Sequence, residues 1–221
     1  MKNLTLIIPA KNEADSLPIV LKEIENYDCK VIIILESSDI DTMNVTKNFN
    51  CKLVYQSSKG YGNALIEGMN NVETDYLCIF NADGSFDPKD LNKMLNICKK
   101  NMDFVFASRY MKNSGSDDDT FLTKLGNYIF STIGKVFFSL KLSDILYTFL
   151  LGKTDSFLKL DLKSKDFCLC VEMPIKAKKQ KMNFIDYPSY ERKRIAGQKK
   201  VSEFRDGLKI LIYMIKSFFR I

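Results

Sequence analysis

Short apolar runs and amphipathic segments alternate along the first half of the chain. The apolar runs are bounded by polar, proline or glycine residues, a pattern that predicts buried strands over 4–8, 31–35, 52–55, 76–80 and 104–107. Capping residues and helical spacing predict helices that begin near Leu17, near Gly62 and after Pro88. Strands that alternate with helices predict βαβ units, and therefore an α/β fold with a mostly parallel sheet flanked by helices.

The second half of the chain follows a different pattern. Residues 113–119 are polar and acidic, and we expect them to form a loop on the ligand-binding side of the sheet. Residues 120–142 have apolar positions at helical spacing, which predicts one long helix with a wide apolar face, and residues 167–177 predict a further helix in the core. The apolar positions of the long helix are Leu122, Leu125, Ile129, Ile133, Val136 and Phe137.

The last fifteen residues, 207–221, are largely apolar but are interrupted by Lys209, Lys216 and Arg220. This pattern predicts an amphipathic helix that is too short to span a bilayer. Two environments suit such a helix. It can lie in the interface of a membrane, or it can dock on the core of its own protein.

Composition and charge narrow the range of partners. The chain has 221 residues, of which 46% are hydrophobic and 27% charged, as expected for a single globular domain with a sizeable core. The net charge is +6, and residues 176–200 contain nine Lys or Arg against Asp186 and Glu191. This basic segment indicates an anionic partner, such as phosphate groups, a lipid surface or nucleic acid, although a solvated basic face gives the same pattern.

Histidine is absent from the chain, which excludes Ser-His-Asp and Cys-His sites, His-ligated metals and an imidazole general base. The six cysteines are scattered and no pair has CxxC spacing, so we expect neither a zinc site nor disulfides. The first residues run directly into a strand-like segment, and no stretch reaches the ~20 apolar residues that span a bilayer. We therefore expect a cytoplasmic protein, in peripheral contact with the inner face of the cell membrane.

The most informative segment is the loop Asn81 to Ser85, which follows the predicted strand 76–80. Loops at the carboxyl ends of strands in an open α/β sheet are where ligands bind. Asp83, with Asn81 and Ser85 on either side, can offer hard oxygen ligands to a divalent cation that bridges to phosphate oxygens. The alternative is an ordinary turn, because Asn, Asp, Gly and Ser are the usual turn residues.

Five segments, in their order and spacing, resemble the family 2 glycosyltransferases of GT-A fold. They are residues 8–13 (IPAKNE), 36–39 (ESSD), 59–64 (KGYGNA), 81–83 (NAD) and 108–110 (SRY). Within that family the chain is most similar to the polyprenyl-phosphate sugar transferases, such as dolichyl-phosphate mannose synthase, and the basic segment 190–200 supports this narrower resemblance. The resemblance implies a Rossmann-like GT-A domain over 1–206, in which 1–110 bind the nucleotide-sugar and 111–206 the acceptor, followed by the helix 207–221.

The resemblance also implies roles in donor binding. Asp83 would coordinate Mg²⁺ or Mn²⁺ on the diphosphate of a UDP- or GDP-sugar, with Asn81 and Ser85 as further oxygen ligands. Asn81 stands where the family usually has a first Asp, which weakens the charge of the metal site. The residues implied in nucleotide-sugar binding are Pro9, Ala10, Asn12, Glu13, Glu36, Lys59, Gly60, Asn81, Ala82 and Asp83.

On the acceptor side, the resemblance places Arg109 beside the acceptor phosphate, together with Arg194 and Lys200. Arg109 follows the strand 104–107, so it should project from the carboxyl edge of the sheet near Asp83; an ion pair with residues 117–119 is the alternative. A polyprenyl phosphate is already an anion and can attack the anomeric carbon unaided, so the enzyme's work is positioning and charge stabilisation.

Two further carboxylates have candidate roles. Asp144 matches the family's aspartate after the long helix, and it would act as general base if the acceptor were a saccharide hydroxyl. Glu172 either faces the site or braces it.

The function implied is an inverting, metal-dependent transfer to a polyprenyl phosphate. Transfer to a saccharide hydroxyl in cell-surface polysaccharide synthesis and a catalytically silent nucleotide-binding module are the alternatives; the basic segment has no recognisable nucleic-acid-reading motif.

Overall fold

The computed structural model describes residues 1–197 and 199–219, and it is built around a seven-stranded sheet with helices on both faces. The strands are β1 (Leu4–Pro9), β2 (Lys30–Leu35), β3 (Lys52–Tyr55), β4 (Tyr76–Ile79), β5 (Phe104–Ser108), β6 (Gly115–Ser116), β7 (Leu150–Lys153), β8 (Phe184–Pro188) and β9 (Tyr190–Glu191). Their order in the sheet is β3-β2-β1-β4-β7-β5-β8, and β6 pairs with β9 in a separate two-stranded sheet.

The large sheet is mostly parallel. β1 pairs in parallel with β2 and β4, β2 with β3, and β5 with β8. Only β7 runs antiparallel within this sheet, and it lies between β4 and β5. The carboxyl ends of β1, β2, β4 and β5 therefore meet at one edge, where an open α/β sheet binds its ligands.

The helices connect these strands and cover both faces of the sheet. They are α1 (Leu17–Ile24), α2 (Ile40–Val45), α3 (Tyr61–Met69), α4 (Lys89–Lys99), α5 (Phe121–Phe138), α6 (Thr154–Lys159), α7 (Leu169–Lys179) and α8 (Glu203–Phe218). Side chains alternate across each strand, so Ile8 packs with α1 and α4 on one face while Ile7 packs with α3 and α7 on the other. Strands buried on both faces explain the continuous apolar runs of the sequence.

The predicted α/β fold is confirmed, with a strand at each of the five predicted positions. The ends differ from the prediction by one residue at most, and β3 agrees at both ends. The central strand β7 was not predicted from the sequence. It has four residues, and it forms a strand only through long-range pairing with Tyr76 to Ile79 and with Phe104 to Phe106.

The long helix predicted over 120–142 is α5, but it ends at Phe138, so the prediction for 139–142 is wrong. Ser139 takes a left-handed conformation with φ of 52°, and the N–H of Leu140 donates to the carbonyl of Gly134 at 3.1 Å. This is the geometry of a helix C-terminal cap, and it satisfies a carbonyl that would otherwise be unpaired.

The predicted C-terminal helix is α8, which begins at Glu203, four residues before the predicted start. Residues 220 and 221 of the prediction lie outside the described part of the chain. Ile210 and Met214 on α8 are buried and pack against Phe138, Val171 and Ile175. In the part of the chain that the structure describes, none of the helices has the length and apolar character needed to cross a membrane.

Candidate active site

A cavity of about 460 Å³ opens at the carboxyl ends of β1, β2 and β4. Most of the residues implicated by the sequence line it, although they come from both halves of the chain. The sequence-predicted residues on its wall are Pro9, Ala10, Glu13, Glu36, Gly60, Asn81, Ala82, Asp83, Arg109, Arg194 and Lys200. The fold thus brings the residues predicted to bind the donor and the basic residues predicted to bind the acceptor into one cavity.

Two predicted donor residues lie off this wall. Asn12 has φ of 53°, and its backbone N–H donates to Asp39 Oδ2 at 2.7 Å, so it shapes the turn after β1. Lys59 is largely exposed, and its Nζ lies 3.7 Å from Glu36 Oε2. We therefore place these two residues at the rim and in the support of the cavity, and their role in nucleotide-sugar binding stays a prediction.

Asp83 stands at the cavity wall directly beyond β4. Its Oδ1 accepts the backbone N–H of Ser85 at 3.0 Å, which fixes the carboxylate in place, and its Oδ2 lies 3.6 Å from Nη1 of Arg194. Among residues 1–197 and 199–219, no group of three or more acidic or cysteine side chains is arranged to hold a metal ion. One carboxylate beside an amide fits Mg²⁺ or Mn²⁺ that takes its remaining ligands from a diphosphate and water.

Ser85 does not contribute to this wall, and the prediction that it is a metal ligand is wrong. Its side chain is buried, and its hydroxyl oxygen accepts a hydrogen bond from Nδ2 of Asn81 at 3.3 Å. That bond orients the amide of Asn81. Ser85 therefore holds the side chain of Asn81, a candidate metal ligand, in place. Asn81 and Asp83 themselves line the wall of the cavity.

Glu36 lies at the end of β2, where the resemblance placed a residue that reads the base or ribose. Its Oε1 accepts a hydrogen bond from Lys11 Nζ at 2.8 Å. This hydrogen bond lowers the pKa of the Glu36 carboxyl, with Lys59 adding to the effect. Glu36 is thus held as an anion that can accept hydrogen bonds from hydroxyl or N–H groups of a nucleoside.

Arg109 is the centre of a buried ionic cluster. Its Nε and Nη2 donate to the two oxygens of Asp144 at 2.7 and 3.0 Å, and its Nη1 donates to Glu191 at 3.1 Å. Burial by itself would lower the pKa of the guanidinium, but the attraction and hydrogen bonds of Asp144 outweigh burial and raise that pKa well above its ordinary value. Arg109 lines the cavity, yet two carboxylates already balance its charge.

The predicted alternative partner for Arg109 is part of the same cluster. Asp119, from the acidic loop, has Oδ1 3.9 Å from Arg109 Nη1. This oxygen is buried without a hydrogen-bond partner in the described structure, while Tyr110 donates to the other oxygen of Asp119. Asp119 also lines the cavity, and its unpartnered oxygen is buried beside the guanidinium of Arg109.

Asp144 is fully buried and lies behind Arg109 as seen from the cavity. Both of its oxygens accept hydrogen bonds from the guanidinium, and Oδ2 also accepts the backbone N–H of Arg109 at 3.1 Å. A carboxylate in this position cannot reach an acceptor hydroxyl, so the expectation that Asp144 serves as a general base is wrong. Asp144 is a positioning residue that orients Arg109.

The basic segment after β9 crosses one side of the cavity. The backbone N–H of Ile195 donates to the carbonyl of Asp83 at 2.8 Å, and a side chain at Gly84 would collide with Ile195. Arg194 Nη2 donates to Asp118 at 2.6 Å. Lys200 Nζ lies 3.4 Å from Glu13. The segment therefore places Arg194 beside Asp83 and Lys200 beside Glu13 at the wall of the cavity.

Another wall of the cavity is aromatic and is held by Glu172. Tyr61 and Phe167 stack with ring centroids 4.8 Å apart. The backbone of residues 164–166 approaches so closely that a Cβ at Gly62 would lie 2.2 Å from the carbonyl oxygen of Ser164. Glu172 accepts the backbone N–H groups of Lys163 and Ser164 at 2.9 and 2.7 Å. Of the two roles considered for Glu172, the structure favours the brace.

We expect Glu172→Gln to destabilise this wall. The amide of glutamine presents a donor where one of the two backbone N–H groups needs an acceptor, and an unsatisfied buried group costs about 1–3 kcal/mol. For a chain of this length the melting temperature should fall by roughly 2–12 °C. Thermal unfolding of Glu172→Gln and of Glu73→Gln, an exposed glutamate, checks this prediction. Equal melting temperatures for the two variants would show that Glu172 is no brace.

The structure adds cavity residues that the sequence analysis did not single out. Gln56 directly follows β3 just as Glu36 follows β2, so the carboxyl-end rule could have identified it. Leu146, Thr148, Phe167 and Cys170 come from irregular or helical segments of the second half, where no local pattern marks them as neighbours of the donor site.

Residues 5–160 match the family model described as Glycosyl transferase family 2. The chain is 31% identical over 105 residues to an uncharacterized glycosyltransferase of Mycobacterium bovis, an alignment that covers 48% of each protein, so the chain spans about half the length of that curated relative. It is also 28% identical to UDP-N-acetylglucosamine–dolichyl-phosphate N-acetylglucosaminyltransferase of Methanococcus voltae, over 85% of this chain and 84% of that protein.

Among solved structures, the fold is similar to that of glucosyl-3-phosphoglycerate synthase from Mycobacterium tuberculosis in complex with Mn²⁺, UDP-glucose and phosphoglyceric acid. The TM-score is 0.76, and the match covers 99% of this chain and 80% of that chain. Sequence identity in this match is 12%, so the likeness concerns the fold.

Proposed function

This chain belongs to glycosyl transferase family 2, and we propose that it moves a sugar from a nucleotide-sugar to a polyprenyl phosphate with inversion at the anomeric carbon. The observation that carries this proposal is the shared cavity, in which Asp83 faces Arg194 at 3.6 Å and Lys200 lies 3.4 Å from Glu13. One carboxylate for a cation and two cationic side chains for phosphate suit a reaction between two phosphorylated substrates.

For the donor, we propose that Asp83 and Asn81 hold Mg²⁺ or Mn²⁺ on the diphosphate of a UDP- or GDP-sugar. When bound, the cation offsets the negative charge that grows on the leaving diphosphate. Glu36 accepts hydrogen bonds from the nucleoside, and Pro9 and Ala10 form the floor beneath it. The unpartnered oxygen of Asp119 is our candidate acceptor for a hydroxyl of the sugar.

For the acceptor, we propose that Arg194 and Lys200 bind the phosphate and that Arg109 presents the remaining N–H groups of its fixed guanidinium. A phosphate oxygen attacks the anomeric carbon, the bond from that carbon to the diphosphate oxygen breaks, and the nucleoside diphosphate leaves with the electron pair. Because the acceptor is already anionic, no base is required. The engagement of Asp144 by Arg109 supports this acceptor over a saccharide hydroxyl, which would need a base.

We further propose that residues 1–110 supply the donor half and 111–206 the acceptor half of one domain. The predicted C-terminal helix corresponds to α8 (Glu203–Phe218) in the described part of the chain. A polyprenyl acceptor requires the protein to work at a membrane, and cytosolic nucleotide-sugars suit the inner face of the cell membrane. This location is part of the proposal. The Methanococcus voltae relative is named for a dolichyl-phosphate acceptor, which supports the same substrate class.

The decisive experiment measures transfer from UDP- and GDP-sugars, with Mn²⁺ or Mg²⁺, to a prenyl phosphate and to oligosaccharides. We expect product only with the prenyl phosphate. Product only with an oligosaccharide would establish the alternative acceptor. Metal-independent nucleotide binding without any product would establish a silent module.

Arg194→Ala should raise the KM for the prenyl phosphate at least about tenfold, because a charge-assisted phosphate contact is lost. The KM for the nucleotide-sugar should change less. Lys193→Ala is the matched control, since Lys193 is the exposed neighbour on the same segment. Steady-state kinetics with each substrate varied in turn check this, and an unchanged acceptor KM would remove Arg194 from the acceptor site.

A further inference from the structure

Helices α5 and α8 lie side by side and run in the same direction. At their N-terminal ends, Thr123 Oγ1 donates to Glu203 Oε1 at 2.9 Å. At their C-terminal ends, the rings of Phe137 and Phe218 are 5.4 Å apart. Fourteen residues separate Thr123 from Phe137, so at the helical rise of 1.5 Å per residue the pair is in contact over about 21 Å.

Each helix buries one side and exposes an apolar side opposite to it. α5 buries Gly134 and Phe138, and α8 buries Ile210 and Met214. Along the described chain, twenty large hydrophobic side chains are exposed, and thirteen of them lie on α5, on α8 or at the residue after α8. We call this surface the α5–α8 face, represented by Phe121, Leu125 and Ile129 on α5 and by Phe204, Leu208 and Ile212 on α8.

The exposure of so many large apolar side chains on two adjacent helices indicates a contact surface. Phe121 is 83% exposed and Phe204 is 80% exposed, and further exposed apolar side chains, aliphatic and aromatic, follow along both helices. Soluble monomers rarely expose a contiguous apolar patch of this extent, and larger patches mark protein or membrane contacts.

The charges on and beside the face are cationic. α5 contains Lys124 and Lys135 and no acidic residue, and α8 exposes Arg205 and Lys216. Both acidic residues of α8 are engaged away from the face. Glu203 accepts from Thr123 and pairs with Lys199, and the buried Asp206 accepts the backbone N–H of Ser202 at 2.9 Å.

This charge pattern selects the occupant. A second copy of the chain, docked face to face, would bring two sets of cations together without acidic partners. An anionic bilayer instead has an apolar interior that can take up the phenylalanine and leucine side chains. Its negative headgroups can pair with the lysine and arginine side chains at the edges of the face. An amphipathic surface with basic edges is the form that binds such an interface.

The N-terminal end of the face adjoins the cavity. Thr123 on α5 lines the cavity, and so do Lys199, Lys200 and Val201, which directly precede α8. A lipid whose chain remained in the bilayer beside the face would therefore have its headgroup at the cationic side of the cavity.

We propose that the α5–α8 face seats the protein on an anionic lipid bilayer and turns the mouth of the cavity toward the headgroups. The docking itself stands on the geometry of the two helices. The entry of a lipid-linked acceptor from the bilayer into the cavity rests on the proposed function. This surface includes α5, so it extends well beyond the C-terminal segment. Both environments expected for that segment apply to α8, because one side of the helix packs on the protein core and the opposite side is exposed to the membrane.

The test is co-sedimentation of the full chain with vesicles of phosphatidylcholine alone or mixed with phosphatidylglycerol. We expect binding to the mixed vesicles, weakened by added salt. The double variant Phe204→Ser/Leu208→Ser should reduce the bound fraction at least about tenfold, because two apolar anchors are lost. The matched control is Ile19→Ser/Ile40→Ser, two exposed isoleucines on α1 and α2, which should bind as the unmodified protein does.

Two outcomes would overturn the docking. The first is equal vesicle binding by the double variant and the unmodified protein. The second is a dimer of the unmodified protein, seen by analytical ultracentrifugation without vesicles, that becomes monomeric in the variant Phe204→Ser/Leu208→Ser. That result would mean that a second copy of the chain covers the face. Retained Mn²⁺-dependent protection by UDP or GDP against thermal unfolding verifies that the variant is folded.

A pair of acceptors separates this proposal from the proposed function. Transfer to a short, water-soluble prenyl phosphate should survive in the double variant, while transfer to a long polyprenyl phosphate embedded in vesicles should fall with vesicle binding. Vesicle binding without transfer to either acceptor would overturn the proposed function and leave the docking intact. If the unmodified protein transferred sugar to the short acceptor but did not bind vesicles, the docking would be overturned and the proposed function would stand.

Discussion

Replacing Asp83 by asparagine should lower kcat/KM by about a thousandfold and abolish the protection that Mn²⁺ and a nucleoside diphosphate give against thermal unfolding. In the proposed reaction, the Asp83 carboxylate supplies the charge that holds the cation on the diphosphate, and the substitution removes that charge. About 1.4 kcal/mol corresponds to each factor of ten in rate. Asn81 is neutral and cannot replace that charge.

The substitution isolates the charge from the fold. Oδ1 of Asp83 accepts the N–H of Ser85 at 3.0 Å, and the amide oxygen of an asparagine can accept the same bond. The turn after β4 should therefore keep its shape, and the melting temperature without ligand should change little.

The measurement compares initial rates and metal-dependent thermal protection for Asp83→Asn, for Asp155→Asn on the exposed side of α6, and for the unmodified protein. Asp155→Asn should retain both properties. An Asp83→Asn protein that kept its manganese affinity and turnover would contradict the assignment of Asp83 as the cation ligand, and with it the metal dependence of the proposed reaction.

Donor residues at the sheet edge could be predicted from the sequence because their positions depend on local pattern. Pro9, Glu36 and Asp83 each stand at or just after the end of a strand whose apolar run is visible in the sequence, and parallel strands bring their carboxyl ends together. The order of the strands does not have to be known for this inference. Ser85 was misplaced because alternation along a turn does not determine which side chains face outward.

The second half resisted prediction because its organisation depends on distant contacts. Arg109 and Asp144 are 35 positions apart, and no periodicity links them. β7 is a strand only through its pairing with β4 and β5. The apolar positions of α5 were recognised as one helical face, but amphipathicity gives the existence of such a face and not whether protein or another apolar phase covers it.

The second large effect concerns the buried pair of Arg109 and Asp144. Asp144→Ala should lower the free energy of unfolding by about 3–5 kcal/mol, because removal of one partner leaves the other as a buried charge with poor compensation. Glu191 still accepts one hydrogen bond from Arg109, at 3.1 Å, but cannot replace the bidentate contact. For a chain of this length the melting temperature should fall by roughly 6–20 °C.

A surface ion pair supplies the control. Lys30 and Glu73 lie 3.6 Å apart with both side chains mostly exposed, so Glu73→Ala should cost under about 1 kcal/mol. Urea unfolding of both variants measures the difference. A cost for Asp144→Ala as small as that for Glu73→Ala would mean that water reaches the cluster around Arg109 and compensates the lost partner.

The double variant Arg109→Met/Asp144→Leu separates stability from function. Replacing a buried ion pair by apolar residues of similar volume is often neutral or stabilising, so this protein should recover part of the free energy of unfolding that Asp144→Ala loses. The recovery is partial because the buried Glu191 loses its hydrogen bond from Arg109. It should nevertheless have a raised KM for the prenyl phosphate, because the guanidinium that Asp144 orients toward the cavity is gone. Recovered stability together with an unchanged acceptor KM would restrict Arg109 to a structural role and leave the acceptor phosphate to Arg194 and Lys200.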